Sequence, residues 1–301
     1  MSIERSGVLL IDKPEGITSH DVVGKVRRLY NTRRVGHTGT LDPMATGLLV
    51  ILIGRAAKAA EYLTVKNKTY RAVLRLGITT DTEDVTGQIL DTSADVPSKE
   101  QVIEAAKSFE GDILQIPPMY SALKVGGQKL VDLARRGVEI ERKPRPVTVH
   151  SLSCEPLENG DYALEVTCSA GTYIRTLCAD IGKKLGCGGA MAALRRVETG
   201  EFSLANSVTL EQLEEMDEDT RYSLLMPIEA LFNDLPAVKL PAFYEKLCRS
   251  GCEIYQKKIS VDLPLGARVR LCDAKGQFFA LGEVREYPDG LAVKPLKQFD
   301  V

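Results

Sequence analysis

Residues Gly36 to Gly54 read GHTGTLDPMATGLLVILIG. Its second half holds six consecutive apolar residues, Leu48 to Ile53. A run that short and without alternation predicts a fully buried strand, Gly47 to Ile53. The first half is different: one histidine, glycines, threonines, an Asp-Pro bond and a single acid, Asp42. It predicts a loop that delivers the chain into the strand. Pro43 restrains Asp42 to extended geometry, so the carboxylate would project from a fixed backbone. The spacing lacks the lysine of a phosphate loop and does not match a dinucleotide fingerprint. On these residues alone two readings stay open. Asp42 is a turn residue bonding its own backbone, or it is a reactive group on a rigid loop at a strand end.

Working outward, Gly7 to Asp12 predicts a short buried strand closed by the turn Lys13-Pro14-Glu15-Gly16. Thr18 or Ser19 would cap a helix carrying Val22, Val23, Val26 and Leu29. Ala56 to Leu63 and Ser98 to Phe109 predict helices. Thr69 to Leu76 alternates as a half-buried strand does. Further on, Tyr162 to Cys168 and Ala193 to Phe202 predict strands, and Thr172 to Leu185 and Leu210 to Met216 predict helices. Between them, residues 120 to 148 are irregular and basic, with a Gly-Gly turn and a short helix from Gln128 to Arg136. Strands and helices mix without a strict alternation, which implies an α/β or α+β domain around a mixed sheet. From about Leu235 one helix, Ala242 to Arg249, is followed by strands and Gly turns. That implies a small C-terminal β-domain. The expected units are residues 1–234 and 235–301.

Composition narrows the classes. The chain has 301 residues and an ordinary apolar share of 44%. It has no apolar run of membrane-spanning length, and the N-terminal apolar run is too short for a leader. A cytoplasmic protein is expected. Its seven cysteines are odd in number with no C-x-x-C pair, which argues for reduced, buried thiols rather than disulfides or zinc. The net charge of −2 hides segregation. Lys13 to His37 carries six Lys/Arg against two acids, and Tyr120 to Thr148 carries seven against three. Glu211 to Asp234 carries eight acids against one arginine. Two basic segments flanking glycine-rich and aromatic elements point toward a nucleic acid.

A lone aspartate argues against paired-carboxylate glycoside chemistry and against a two-metal site. With an arginine partner it would suit a nucleophilic carboxylate kept ionised. CSAGTYIRTLCADIG supplies a candidate: Gly171 turns the chain into a helix whose first turn holds Tyr173 and Arg175. Read alone, Arg175 is an ordinary surface residue sooner than a partner of Asp42.

Several blocks, in order, resemble the TruB family, the bacterial tRNA pseudouridine-55 synthases. They are LLIDKPEGITSHDVVGKVRRLYNTRRVGHTGTLDP, the opening stretch, KTYRAVLRLGITTDTEDVTGQ, PPMYSALKVGGQKLVDLARRGVEIERKPRPVTV and CSAGTYIRTLCADIGKKLGCGGAMAALRRVETGEF. The resemblance runs from about Gly7 to Phe202. It implies the pseudouridine synthase fold with a PUA-like C-terminal domain. Asp42 falls on the family's catalytic aspartate, Tyr70 on the tyrosine that stacks on the target base, and Arg175 on the arginine paired with the aspartate. His37 falls on a histidine at the tRNA stack, Lys13 on a lysine near the active site, and Leu194 on an apolar pocket residue. The basic insertion, about residues 120–148, would grip RNA. Its phosphate-contact candidates are Lys124, Lys129, Arg135 and Arg136, and then Arg142, Lys143 and Arg145. The implied substrate is tRNA, bound through its T stem-loop. No metal, cofactor or obligate protein partner is expected, and the expected state is a monomer.

Overall fold

The computed structural model describes residues 5–63, 66–95 and 97–299. The first four residues, on which the leader reading partly rests, lie outside that range. The chain opens with β1 (Gly7–Lys13), α1 (Ser19–Leu29), β2 (Val35–His37), β3 (Thr46–Ile53) and β4 (Lys68–Leu76). Next come β5 (Ile78–Thr80), β6 (Ile89–Thr92), α2 (Lys99–Lys107) and β7 (Gly111–Gln115). The basic segment forms β8 (Lys124–Val125), β9 (Gln128–Lys129) and α3 (Leu130–Ala134). It is followed by β10 (Arg145–Pro156), β11 (Tyr162–Cys168), α4 (Ile174–Leu185), β12 (Gly189–Thr199), β13 (Phe202–Ser203), α5 (Leu210–Glu215) and α6 (Glu218–Ser223).

One mixed sheet runs β1-β3-β12-β4-β11-β10-β7, with β2 added to β3 and β13 to β12. The β3–β12 pair is parallel and the other ladders are antiparallel. The apolar run of β3 is buried because both of its faces are covered. Leu49, Ile51 and Ile53 join a core with Val22, Val23 and Val26 of α1 and Leu177 of α4. Leu48, Val50 and Leu52 join a second core behind the sheet. Helix α1 starts where the sequence predicts. Thr18 is its N-cap, and its hydroxyl and the Asp21 carboxylate each accept from the other's backbone amide.

The edge of β3 away from β1 is divided. Its start, Thr46 and Gly47, pairs with β12, and its end, Ile51 to Ile53, pairs with β2. Between them the ladder is broken, yet no carbonyl there is left bare. Arg196 Nε donates to the Leu48 carbonyl at 2.8 Å, and the Thr38 amide donates to the Val50 carbonyl at 3.1 Å. Gly47 makes the junction sterically feasible. Its φ is +98°, and a Cβ there would lie 2.3 Å from the Arg196 carbonyl oxygen. The loop carrying Asp42 emerges from this break.

The C-terminal part adds β14 (Ala237–Lys239), α7 (Ala242–Arg249), β15 (Ile254–Tyr255), α8 (Gln256–Ile259), β16 (Arg268–Cys272), β17 (Phe278–Tyr287) and β18 (Gly290–Gln298). Its five-stranded sheet, ordered β14-β16-β17-β18-β15, encloses its own core. It is also docked. Leu281 and Phe299 share the second core with Val8, Leu10, Val50, Phe202 and Phe232. Phe232, Phe278 and Phe299 form a ring cluster with centroids 5.7 to 6.0 Å apart.

Some elements differ from the sequence reading. The predicted helix from Ala56 to Leu63 is a 3₁₀ segment, Gly54–Ala59. The predicted loop, residues 36 to 46, is not all loop, since Gly36 and His37 belong to β2 and Thr46 opens β3. Strand β12 begins at Gly189, four residues before the predicted start. Six of the seven cysteines are buried and all are free; Cys252 is exposed. Among the described residues no helix is long and apolar enough to cross a membrane.

Candidate active site

Asp42, Tyr70, Arg175 and Leu194 line one cavity of about 220 Å³. Its wall also includes Gly39, Lys68, Arg196, Tyr120 and Ser121. A larger groove, about 750 Å³, lies over Arg71, Val73 and Arg195 of the central strands. It does not include Asp42, Tyr70 or Arg175.

Arg175 Nη2 lies 3.1 Å from Asp42 Oδ2. The arginine side chain is 7% exposed and that of Asp42 is 40% exposed. The buried guanidinium is therefore the fixed member of the pair. Two hydrogen-bond acceptors and two carboxylate ion pairs hold it. Besides Asp42 these are the Thr82 carbonyl at 3.1 Å, the Tyr120 carbonyl at 2.7 Å and the Asp84 carboxylate at 3.6 Å. Asp84 is buried and is itself fixed by the Thr82 hydroxyl and the Thr86 amide, both at 2.9 Å. The guanidinium so held presents one fixed positive edge to the Asp42 carboxylate.

Upstream of Arg175, Gly171 (φ +92°) turns the chain toward α4, and Tyr173 precedes the helix. The buried Gln115 side chain brackets Tyr173: it accepts from the Tyr173 amide at 3.0 Å and donates to its carbonyl at 3.1 Å. The first turn of α4, and so the aim of Arg175, is fixed from the end of β7.

The Asp42 loop is tied from beneath. The Leu41 amide donates to Ser19 Oγ at 2.8 Å, and the Ser19 hydroxyl lies 3.1 Å from the Leu41 carbonyl. Lys13 is fully buried. Its ammonium donates to the carbonyls of Pro14, Ile17 and Pro43 at 2.8, 2.7 and 3.3 Å. It thus clamps the turn after β1 to the residue after Asp42 and does not line the cavity. Burial pushes the Lys13 ammonium down to about 8, and the Asp42 carboxylate pulls it back up.

Tyr70 is 8% exposed, on the cavity face of β4. Burial pushes its phenol up, so the hydroxyl is protonated at neutral pH, and the Arg196 guanidinium opposes the shift. His37 is not in the Asp42 cavity. It lines a neighbouring one of about 240 Å³ with Lys66, Lys68 and Phe202. Its Nδ1 accepts from the Gly39 amide at 3.3 Å, and its ring meets His20 edge-on at 5.8 Å. Burial lowers its pKa, as do His20 and Arg196.

The basic segment folds around Met119, Leu130 and Leu133, a small core of its own. It reaches the cavity through Tyr120, Ser121 and Ala122. Lys124, Lys129, Arg135, Arg136, Lys143 and Arg145 are exposed. Arg142 is turned inward, 19% exposed, donating to the Pro117 carbonyl at 3.2 Å and to Glu139 at 2.8 Å.

Sequence reasoning missed Ser19, Asp84, Gln115 and Arg196. Each acts on a segment far away in the chain, so no local pattern marks it.

The divided mixed sheet, with a carboxylate–arginine pair and a tyrosine lining one cavity, has a pseudouridine synthase fold. The chain aligns over 98% of its length with a solved complex of Cbf5 with Nop10 and Gar1, covering 85% of that chain, with a TM-score of 0.75 and 27% identity. A family model described as TruB family pseudouridylate synthase, N-terminal domain, matches residues 27–174. The tRNA pseudouridylate synthase B C-terminal domain matches residues 175–233. The tRNA pseudouridine synthase B of Dechloromonas aromatica is 47% identical, over 92% of this chain and 91% of that protein. The one from Clostridium kluyveri is 48% identical, over 82% and 85%. The chain belongs to the TruB family.

Proposed function

We propose that this chain isomerises uridine 55 in the T loop of tRNA to pseudouridine, with Asp42 as the nucleophile. The observation that carries the reading is the Asp42–Arg175 pair at 3.1 Å in a cavity walled by Tyr70. The reaction breaks N1–C1′, joins C5 to C1′, and moves a proton from C5 to N1, so atoms and oxidation states balance. The target base must leave its stack, at a cost of a few kcal/mol. Stacking on an aromatic ring returns about 1–3 kcal/mol, which is the part given to Tyr70. Leu194 closes the apolar side of the cavity, Lys13 holds the Asp42 loop, and His37 holds the neighbouring stack open. The exposed basic residues of segment 120–148 supply phosphate contacts. Residues 1–234 act as the catalytic unit, and 235–301 as a PUA-like RNA-binding unit. The protein works as a monomer.

The deciding experiment incubates the purified chain with an unmodified tRNA transcript and maps pseudouridine in the product. Product in the T loop is expected from the chain alone. Asp42→Asn should bind the RNA and lose at least about 10⁴-fold in single-turnover rate. Normal turnover by that variant would reject Asp42 as nucleophile. The likeness to Cbf5, solved in complex with Nop10 and Gar1, favours one second reading, activity only within an assembly. A silent chain that gains activity with added components would select it.

A further inference from the structure

The Asp42 cavity has more positive charge than its own chemistry uses. Lys68, Arg175 and Arg196 line it against a single carboxylate, Asp42. Arg175 is neutralised by Asp42 and Asp84. Arg196 is 2% exposed; it meets the carbonyls of Leu48 at 2.8 Å and Gly39 at 3.1 Å and the Tyr70 hydroxyl, and among the described residues it has no carboxylate partner. Lys68 is half-buried, and among the described residues its ammonium has no hydrogen bond and no carboxylate partner. Its surroundings are another cation, Arg196, and the Cys168 thiol. Both side chains converge on Gly39, where an added Cβ would lie 3.5 Å from Arg196 Nη1 and 3.8 Å from Lys68 Cε. Two cations side by side on a cavity wall, neither facing a carboxylate, repel each other and favour an anion between them.

Their position says which anion. Lys68 lines both the Asp42 cavity and the neighbouring His37 cavity. In the second cavity the other lysine, Lys66, is already tied to Asp234 at 3.0 Å. The free ammonium therefore stands on the wall between the two spaces. We propose that Lys68 and Arg196 seat one backbone phosphate of the RNA, the one linking the nucleotide in the Asp42 cavity to its neighbour over His37. The seat would pull the everted nucleotide to a fixed depth while Tyr70 holds the base. Lys68 binds and positions; it takes no part in bond making. The inference rests on the proposed action on RNA.

The test uses a set of T stem-loop RNAs, each with one phosphate replaced by a neutral methylphosphonate, bound by the wild type and by Lys68→Met. One replacement beside the target uridine should weaken wild-type binding roughly tenfold, the factor for one charge-assisted contact. The same replacement should cost Lys68→Met nothing further. The slope of log Kd against log salt should fall by about 0.7 in Lys68→Met. Lys68→Gln replaces it if the methionine variant does not fold. Equal losses in both proteins at every phosphate overturn the seat, as does wild-type affinity in the variant. Wild type that binds and turns over without a coupled phosphate overturns the seat alone. Wild type that does not bind RNA overturns the parent reading as well.

Discussion

Ser19 and Leu41 are held together by two contacts, Leu41 amide to Ser19 Oγ at 2.8 Å and Ser19 hydroxyl to Leu41 carbonyl at 3.1 Å. Because Thr18 caps the helix, the Ser19 side chain is free to anchor the residue before Asp42. Ser19→Ala should fold, lose about 1–2 kcal/mol of stability, and lower kcat more than it raises KM. Single-turnover kinetics and thermal melting check this. An unchanged kcat would show that the loop is aligned without Ser19.

Asp84 meets Nη1 of Arg175, the nitrogen next to the one that faces Asp42. Asp84→Ala leaves the guanidinium with one carboxylate and removes a buried acceptor. A stability loss of about 3 kcal/mol is expected, with the rate falling more steeply than RNA affinity. Denaturant midpoints and single-turnover rates test it. Wild-type turnover would mean that the carbonyls of Thr82 and Tyr120 suffice.

Tyr70→Phe keeps the ring and removes the hydroxyl. RNA binding should survive and turnover should fall by about 10²-fold or more, the range for proton transfer by a positioned side chain. An unchanged rate would confine Tyr70 to stacking.

Lys13 gives a pH dependence with a defined sign. Its folded value of about 8 lies below the ordinary 10.5. Between those values the unfolded chain keeps the proton and the folded chain has lost it, so this group's contribution to stability rises with pH across that window. Activity should move the other way, falling above pH about 8 as the clamp on Pro43 loses its charge. Since Asp42 raises the Lys13 value, an NMR titration of the Lys13 ε-group in Asp42→Asn should give a midpoint below the wild-type one. An equal or higher midpoint would contradict the proximity of the two charges.

Arg142 and Lys124 should separate. Arg142→Ala should lower the melting temperature with little change in the salt dependence of RNA binding, because its guanidinium is spent on Pro117 and Glu139. Lys124→Ala should reduce the salt slope by about one contact and leave melting unchanged. The reverse pattern would refute the assignment.

What could be read in advance follows from the range of the forces. The apolar run of β3, the alternation of β4 and the Thr18 cap are encoded within a few residues. Strand β2 exists because the far half of β3 offers it a free edge, and no pattern in Val35-Gly36-His37 announces that. The glycine-rich start of β12 looks like a turn, but its ladder to Leu76 and Arg75 overrides the local preference. Asp42 and Arg175 stood out by composition and resemblance. The groups that hold them, Ser19, Asp84 and Gln115, are set by contacts across 22, 91 and 58 positions of chain.

The second core has a consequence for how the chain can come apart. Val8, Leu10, Val50, Phe232, Leu281 and Phe299 form one continuous apolar interior between two sheets. Losing the C-terminal sheet would bare the back of β1 and β3, the strands that carry the Asp42 loop and its clamp. The C-terminal sheet is thus a wall of the main sheet as well as a neighbour to it, and melting should proceed in one step, with truncation near Leu235 costing the Asp42–Arg175 pair its scaffold.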